Sequence, residues 1–268
     1  MPNSQPAQGP PPAATPEPAA PPAEFLAAAA ALGIEFETDD VPRLAAFVGH
    51  LLAANRTMNL TAIRDPNEAW RRHILDALTL VPLIAEAGES PSVIDVGSGC
   101  GVPGLPLAVV LPHSTFTLVE ATGKKALFLR DAAARLGLSN VRVENERAER
   151  LGHDRERHRE RYDVAVARAV GHLAIVAELT LPLVRRDGWA LAVKGEKAEH
   201  EVSEAGEAIG MLGGRVEGIA DTPTGRVVVM RKGSLTPRVY PRSPGEPAAH
   251  PLGMRNTRST RRGRTDRR

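Results

Sequence analysis

Cysteine is nearly absent. Of 268 residues only Cys100 carries a thiol, which excludes an intramolecular disulfide and any multi-cysteine zinc site and fits a reducing cytoplasm. Aromatic residues make up only 3% of the chain, so its core must be aliphatic, built from Ala, Leu and Val. No apolar run reaches the roughly 18 residues of a membrane span, and no charged segment followed by an apolar one opens the chain. The protein is therefore expected to be cytoplasmic, neither secreted nor membrane-bound. A metal is not expected either: His73 and His172 have no second ligand at helical four-residue spacing, and packing or hydrogen bonding accounts for them. Nor does the sequence offer an obvious nucleophile–base pair.

Charge is plentiful but unevenly spread. From Ser234 to Arg268 nine arginines stand against Glu246 and Asp266, a formal +7 that leaves the remainder at −5 within a net +2. That tail reads either as a contact for a polyanion or as a disordered, solubilising extension. Residues 1–22 hold nine prolines among Ala and Gln and have too little apolar surface to offset the entropy of ordering. The expected organisation is a disordered lead at 1–23, a helical extension at 24–90, an α/β domain at 91–232 and a disordered arginine-rich tail at 233–268.

The most informative stretch runs from Ser92 to Glu120. Val93-Ile94-Asp95-Val96 reads as a strand, followed by Gly97, Gly99, Gly101 and Gly104, an apolar helix and a second strand that ends at Glu120. Glycines let the chain turn at positive φ and let a ligand approach the backbone. Pro103 and Gly104 open the helix, where a missing N–H leaves no bond unmade. Glu120 stands where an acid accepts hydrogen bonds from two ribose hydroxyls. Two registers fit these glycines. One begins at Gly99 and matches the dinucleotide fingerprint; the other begins at Asp95 and matches the acid-x-Gly-x-Gly-x-Gly pattern of S-adenosylmethionine methyltransferases. The second is preferred, because an ionised Asp95 would oppose a pyrophosphate but suits a cofactor with an amino group and a sulfonium.

Strands at Val141–Val143, Tyr162–Ala167, Trp189–Val193, Arg215–Ile219 and Val227–Met230 alternate with helices at Lys124–Gly137, Leu173–Val184 and Lys197–Leu212. This pattern predicts a mainly parallel, doubly wound sheet, with ligands beyond the carboxyl ends of its strands. Asp95, Glu120, Glu146–Glu149, Arg168 and Lys194 all fall at such ends. Upstream, Glu68–Leu80 reads as a helix with an apolar stripe of Trp70, Ile74, Ala77 and Leu78. Its His73 and Asp76 either pair with each other or share a polar face bordering the cofactor site, which would offer Arg71 and Arg72 to phosphates. Lys124 and Lys125 open a helix where the macrodipole disfavours cations, a placement that suits an RNA backbone or nothing beyond a solvated surface. Cys100 is read as a small residue inside the glycine turn rather than a nucleophile.

Asn59-Leu60-Thr61, Arg72-His73-Ile74-Leu75-Asp76, Asp95 to Gly104, Arg147-Ala148-Glu149, Arg168-Ala169 and Lys194-Gly195 together resemble the bacterial small-subunit ribosomal RNA N7-guanine methyltransferases, also called glucose-inhibited division protein B. The resemblance covers about Phe25 to Arg231. It implies a Rossmann-like class I methyltransferase fold, S-adenosylmethionine as methyl donor and a guanine of 16S ribosomal RNA, free or in the small subunit, as acceptor. By position it puts cofactor contacts on Gly97, Val102, Ala148, Glu149 and Arg168, beside Asp95, Gly99 and Glu120 from the glycine stretch. Arg168 is expected to anchor charge at the cofactor or the incoming base, while Arg72, Lys124, Lys125 and Lys194 are expected to meet the RNA. A monomer without metal is expected. A dinucleotide-dependent oxidoreductase and a non-catalytic RNA-binding protein are the competing readings.

Overall fold

A computed structural model describes residues 17–254. The amino-terminal part is helical: α1 (Phe25–Ala31), α2 (Asp40–Met58), α3 (Pro66–Ala69), a π-helical turn (Trp70–Leu75), α4 (Asp76–Leu78) and α5 (Val81–Ala85). Alternating elements follow: β1 (Ser92–Val96), α6 (Gly104–Val110), β2 (Thr115–Val119), α7 (Gly123–Arg135), β3 (Val141–Glu144), α8 (Ala148–Leu151), β4 (Tyr162–Arg168), α9 (Leu173–Thr180), β5 (Val184–Lys194) and α10 (Ala198–Met211). The hairpin β6 (Gly214–Thr222) and β7 (Gly225–Lys232) precedes the short α11 (Glu246–Ala249).

The seven strands form one sheet in the order β3-β2-β1-β4-β5-β7-β6. β1 to β5 pair in parallel, whereas β7 runs antiparallel to β5 and β6. This is the expected Rossmann-like, mainly parallel doubly wound sheet, with a reversed hairpin at one edge. Because alternate residues of a strand face opposite sides, β4 directs Val164 and Val166 into one core, with the amino-terminal helices, α6 and α7. Ala165 and Ala167 enter the other, with α9 and α10. Small residues on the second face let those helices approach closely. Scarce aromatics are concentrated in the first core, where Trp70, Phe47 and Phe116 are fully buried and the Phe25 and Trp70 rings meet edge to face with centroids 4.5 Å apart.

Three expectations change here. The helix anticipated at Glu68–Leu80 widens into a π turn at Trp70–Leu75, a distortion found often at functional sites. The lead anticipated as disordered through residue 23 packs at its end, because the buried Trp70 indole needs an acceptor and donates to Ala19 O at 2.8 Å. The tail anticipated as disordered from 233 lies along the body as far as 254, since buried charges of the body bond to it: Arg159 donates to Thr236 O at 2.6 Å, and Arg242 pairs with Glu178 at 2.6 Å. What was expected of 1–16 and of the arginine run at 255–268 lies outside the described residues.

One side chain holds the Asn59-Leu60-Thr61 segment in place. Asn59 takes a left-handed conformation at φ 50°, and the loop behind it closes on Asn55, near the end of α2. The Asn55 carbonyl oxygen accepts from Leu60 N at 2.7 Å and Thr61 N at 2.9 Å, while its amide donates to Thr61 O at 2.8 Å and Ile63 O at 3.3 Å. Replacing Asn55 with Ala strands four backbone groups and is expected to cost roughly 2–4 kcal/mol in urea unfolding. A cost below about 1 kcal/mol would show that the loop keeps its shape by other means.

Candidate active site

The carboxyl ends of β1, β2 and β4 and the loop after β3 surround a cleft of about 380 Å3. Gly97 and Val96 form its floor at the end of β1, Glu120 closes β2, Ala148 and Glu149 begin α8, and Val170 follows β4. Gly97 has φ +75°, and a Cβ there would stand 3.0 Å from Val170 Cγ2. The turn after β1 thus passes directly under the segment after β4. Glu120 fixes the turn from the side: one carboxylate oxygen accepts from Gly99 N at 3.0 Å and the other from Thr122 N at 2.6 Å. A carboxylate has about four lone-pair directions, so both oxygens keep capacity for hydroxyl donors.

Asp95 does not line the cleft; the structure corrects its expected contact with the cofactor's charges. Only 1% exposed, it lies beneath the glycine turn, and one oxygen accepts from Gly104 N at 3.1 Å. A Cβ on Gly104 would come within 2.7 Å of the same oxygen, so only glycine lets the start of α6 sit on this acid. Burial lifts Asp95 to about 7, partly opposed by the Gly104 hydrogen bond. Its second oxygen is buried without a partner among the described residues. Asp95 therefore shapes the turn from below. Val102 and Cys100 are likewise packed in the core, and burial raises the Cys100 thiol, which removes it further from nucleophilic use.

Arg168, the last residue of β4, is held by three groups of the π turn and its flank. One terminal nitrogen donates to Arg72 O at 2.7 Å and to an Asp76 oxygen at 3.0 Å; the other meets His73 Nδ1 at 2.9 Å. His73 and Asp76 thus do not pair with each other, as one sequence reading allowed, but share this guanidinium. An arginine has no acceptor, so His73 Nδ1 must accept, leaving the imidazole proton on Nε2, which faces Thr61 Oγ1 at 3.0 Å. Burial and the neighbouring Arg168 together lower His73 to about 4. The Thr224 hydroxyl, from the β6–β7 turn, bonds the other Asp76 oxygen. Two of the five guanidinium N–H groups, one on Nε and one on the second terminal nitrogen, are left for other partners.

The expected RNA contacts divide. Arg72 is exposed and paired with Glu68 at 3.2 Å, and Lys124 is exposed beside the half-buried Lys125 at the start of α7. Lys194 is corrected: its ammonium is turned inward, paired with Glu201 at 2.7 Å and bonded to Gly171 O. It braces the loop that follows Arg168 instead of facing a phosphate. His172 caps α9 and bonds Glu204 at 3.0 Å, the hydrogen-bonding role expected of it.

The family described as "GidB: rRNA small subunit methyltransferase G" matches residues 40–227. The chain belongs to this family. A relative from Sorangium cellulosum, named Ribosomal RNA small subunit methyltransferase G, is 44% identical over 82% of this chain and 92% of its own length. Relatives of the same name from Ligilactobacillus salivarius and Pelotomaculum thermopropionicum are 35% and 41% identical, over 86% and 82% of this chain and 99% and 94% of their own. Solved structures are more distant: a SAM dependent methyltransferase from Aquifex aeolicus aligns over 60% of this chain and 92% of its own, at 17% identity and a TM-score of 0.48, too loosely to carry an argument. This GidB-family chain is a methyltransferase, and its glycine stretch is the methyltransferase register rather than the dinucleotide one. The cleft fits S-adenosylmethionine: Glu120 has free acceptor capacity for a ribose diol, and Val170, Ile175 and Leu179 supply an apolar wall.

Sequence reasoning missed Asn55, Thr224 and the carboxyl-terminal residues Gly245, Pro247 and Ala248, which also line the cleft. Only a polar residue on an otherwise apolar helix face marked Asn55. Nothing local marked the others, which arrive through the fold.

The depressed pKa of His73 has a sign. In the unfolded chain the ring takes up a proton near 6.5 and in the folded one only near 4, so its contribution to stability is complete above pH 6.5 and is lost as pH falls to about 4. The loss expected from this residue approaches roughly 3 kcal/mol. His73→Gln keeps an acceptor for Arg168 but cannot titrate, so its urea midpoint should fall less between these pH values than that of the wild type. Parallel acid profiles for the two proteins would show that His73 is not a neutral acceptor.

Proposed function

We propose that this GidB-family methyltransferase transfers the methyl group of S-adenosylmethionine to N7 of a guanine in 16S ribosomal RNA, by direct in-line transfer without a general base. The observation that supports this most is the state of the titratable groups beside Arg168 and in the cleft. His73 is neutral with both ring nitrogens occupied, and the Cys100 thiol is buried. Glu120 and Glu149 are engaged with backbone N–H groups. Such a site is poor at removing a proton and well suited to an acceptor that has none to lose. Guanine N7 is one, because its lone pair carries no hydrogen, so alignment and exclusion of water suffice.

In this reading Gly97, Gly99, Glu120, Ala148 and Glu149 hold the cofactor, which supplies an electrophilic methyl on a sulfonium. Glu120 takes the ribose hydroxyls, and the turn from Gly97 to Gly101 lets the backbone approach the ligand. The spare N–H groups of Arg168 point its charge to the incoming guanine or its phosphate, and the His73–Asp76 brace fixes the guanidinium before substrate arrives, which lowers the cost of ordering it. Arg72, Lys124 and Lys125 extend a cationic approach for RNA. The enzyme acts as a cytoplasmic monomer on free RNA or on the small subunit.

Tritium transfer from methyl-labelled S-adenosylmethionine to small-subunit ribosomal RNA, taken from a strain lacking this protein, tests the reading. The label is expected as 7-methylguanosine by mass and is expected to vanish with Gly97→Val or Glu149→Ala. Tight cofactor binding without transfer to any RNA or subunit preparation would move the acceptor elsewhere, and label on another nucleoside position would rule out N7.

A further inference from the structure

Residues 233–249 have no part in the reaction just described, yet they are built into the cofactor cleft. After β7 the chain crosses back over α8 and α9, and Gly245, Pro247 and Ala248 become one wall of the cleft. Gly245 N donates to a Glu149 carboxylate oxygen at 2.8 Å, so the segment is latched to the start of α8, beside Ala148.

Its seat consists of buried charges on the body. Glu178, in α9, is 0% exposed, and among the described residues its carboxylate bonds only Arg242: the backbone N at 2.8 Å and the guanidinium at 2.9 and 2.6 Å. Arg159, 7% exposed in the charged stretch before β4, donates to the carbonyls of Gly152, Thr236, Pro237 and Tyr240. A charge taken out of water is costly unless it is paired and hydrogen-bonded. Glu178 and Arg159 are therefore satisfied inside this body only with the segment in place, which marks it as a fixed wall rather than a loose extension.

The position of that wall says what it touches. With the ribose held by the acid at the end of β2 and the glycine turn facing the rest of the cofactor, the space left for the base attached to that ribose is on the side of the acid away from the turn. Here that direction leads from Glu120 to Ala148 and Glu149, where the segment is latched. We propose that residues 233–249 form a specificity strap that encloses the nucleoside end of the methyl donor, with Ala248 and Pro247 packing against the base and the Arg242–Glu178 pair holding them there. This rests on the methyltransferase reading above and assigns a part of the site to a segment outside the matched family region at 40–227.

Calorimetric binding of S-adenosylhomocysteine and of adenosine to the full-length protein separates the possibilities. Ala248 is exposed, so Ala248→Trp should fold as the wild type does while filling the wall. Its Kd is expected to rise at least tenfold for both ligands and by the same factor, because both share the nucleoside. The double variant Glu178→Gln, Arg242→Gln, which releases the seat without leaving a lone buried charge, should weaken both ligands in parallel as well. A merely structural strap would change the melting temperature and leave the Kd of folded protein unchanged; that result, or a loss confined to S-adenosylhomocysteine, overturns the proposal. If the wild type binds neither ligand, the cofactor reading fails and the strap with it; if the wild type binds and Ala248→Trp binds equally well, only the strap fails.

Discussion

The guanidinium of Arg168 is the point at which three separate parts of the chain become one site. It stands at the end of the strand next to β1, so its backbone is fixed by the sheet. Its side chain is fixed by Arg72, His73 and Asp76 from the helical extension. Two of these partners are themselves held: His73 by Thr61, which Asn55 fixes in turn, and Asp76 by Thr224. A cation this enclosed is tolerable because Asp76 supplies the opposite charge and every contacting atom is an acceptor. The helical extension is thus no appendage, since without it Arg168 would lack both counter-charge and direction.

A second constraint acts beneath the glycine turn. Two acids of different environment meet the same loop, Asp95 from the buried side and Glu120 from the cleft side. Asp95 is deprived of water and pushed towards neutrality; Glu120 lines the cleft and accepts from backbone donors on both oxygens. The loop between them is held at both edges and has little freedom left for a ligand to remove, which favours a preformed site.

The sheet and the glycine stretch were readily legible in the sequence, because strand–helix alternation and the spacing from Asp95 to Glu120 are local patterns. The family resemblance was legible too, and the match over 40–227 bears it out. Side-chain assignments were less so. Asp95 could be placed on its strand but not on the buried side of the turn, and Lys194 could be placed at a strand end but not turned towards Glu201. Those choices depend on what packs opposite, which no single stretch records. Arginine content hid the strap: Arg242 counts as one more charge in a basic run, and only the fold brings it to Glu178, 64 residues earlier. In the charged stretch before β4, Arg159 likewise reads as solvated surface until its carbonyl partners are seen.

The span of the Arg168 cluster bears on how the protein comes into being. Arg168 bonds across 92 to 96 residues to the π turn, and Thr224 reaches Asp76 across 148. Domains emerge from the ribosome amino-terminal end first, so the helical extension is complete long before any strand can offer its arginine. The nascent chain therefore carries His73 and Asp76 without their arginine while the next 92 to 95 residues are made, and the cluster closes only once β4 has emerged.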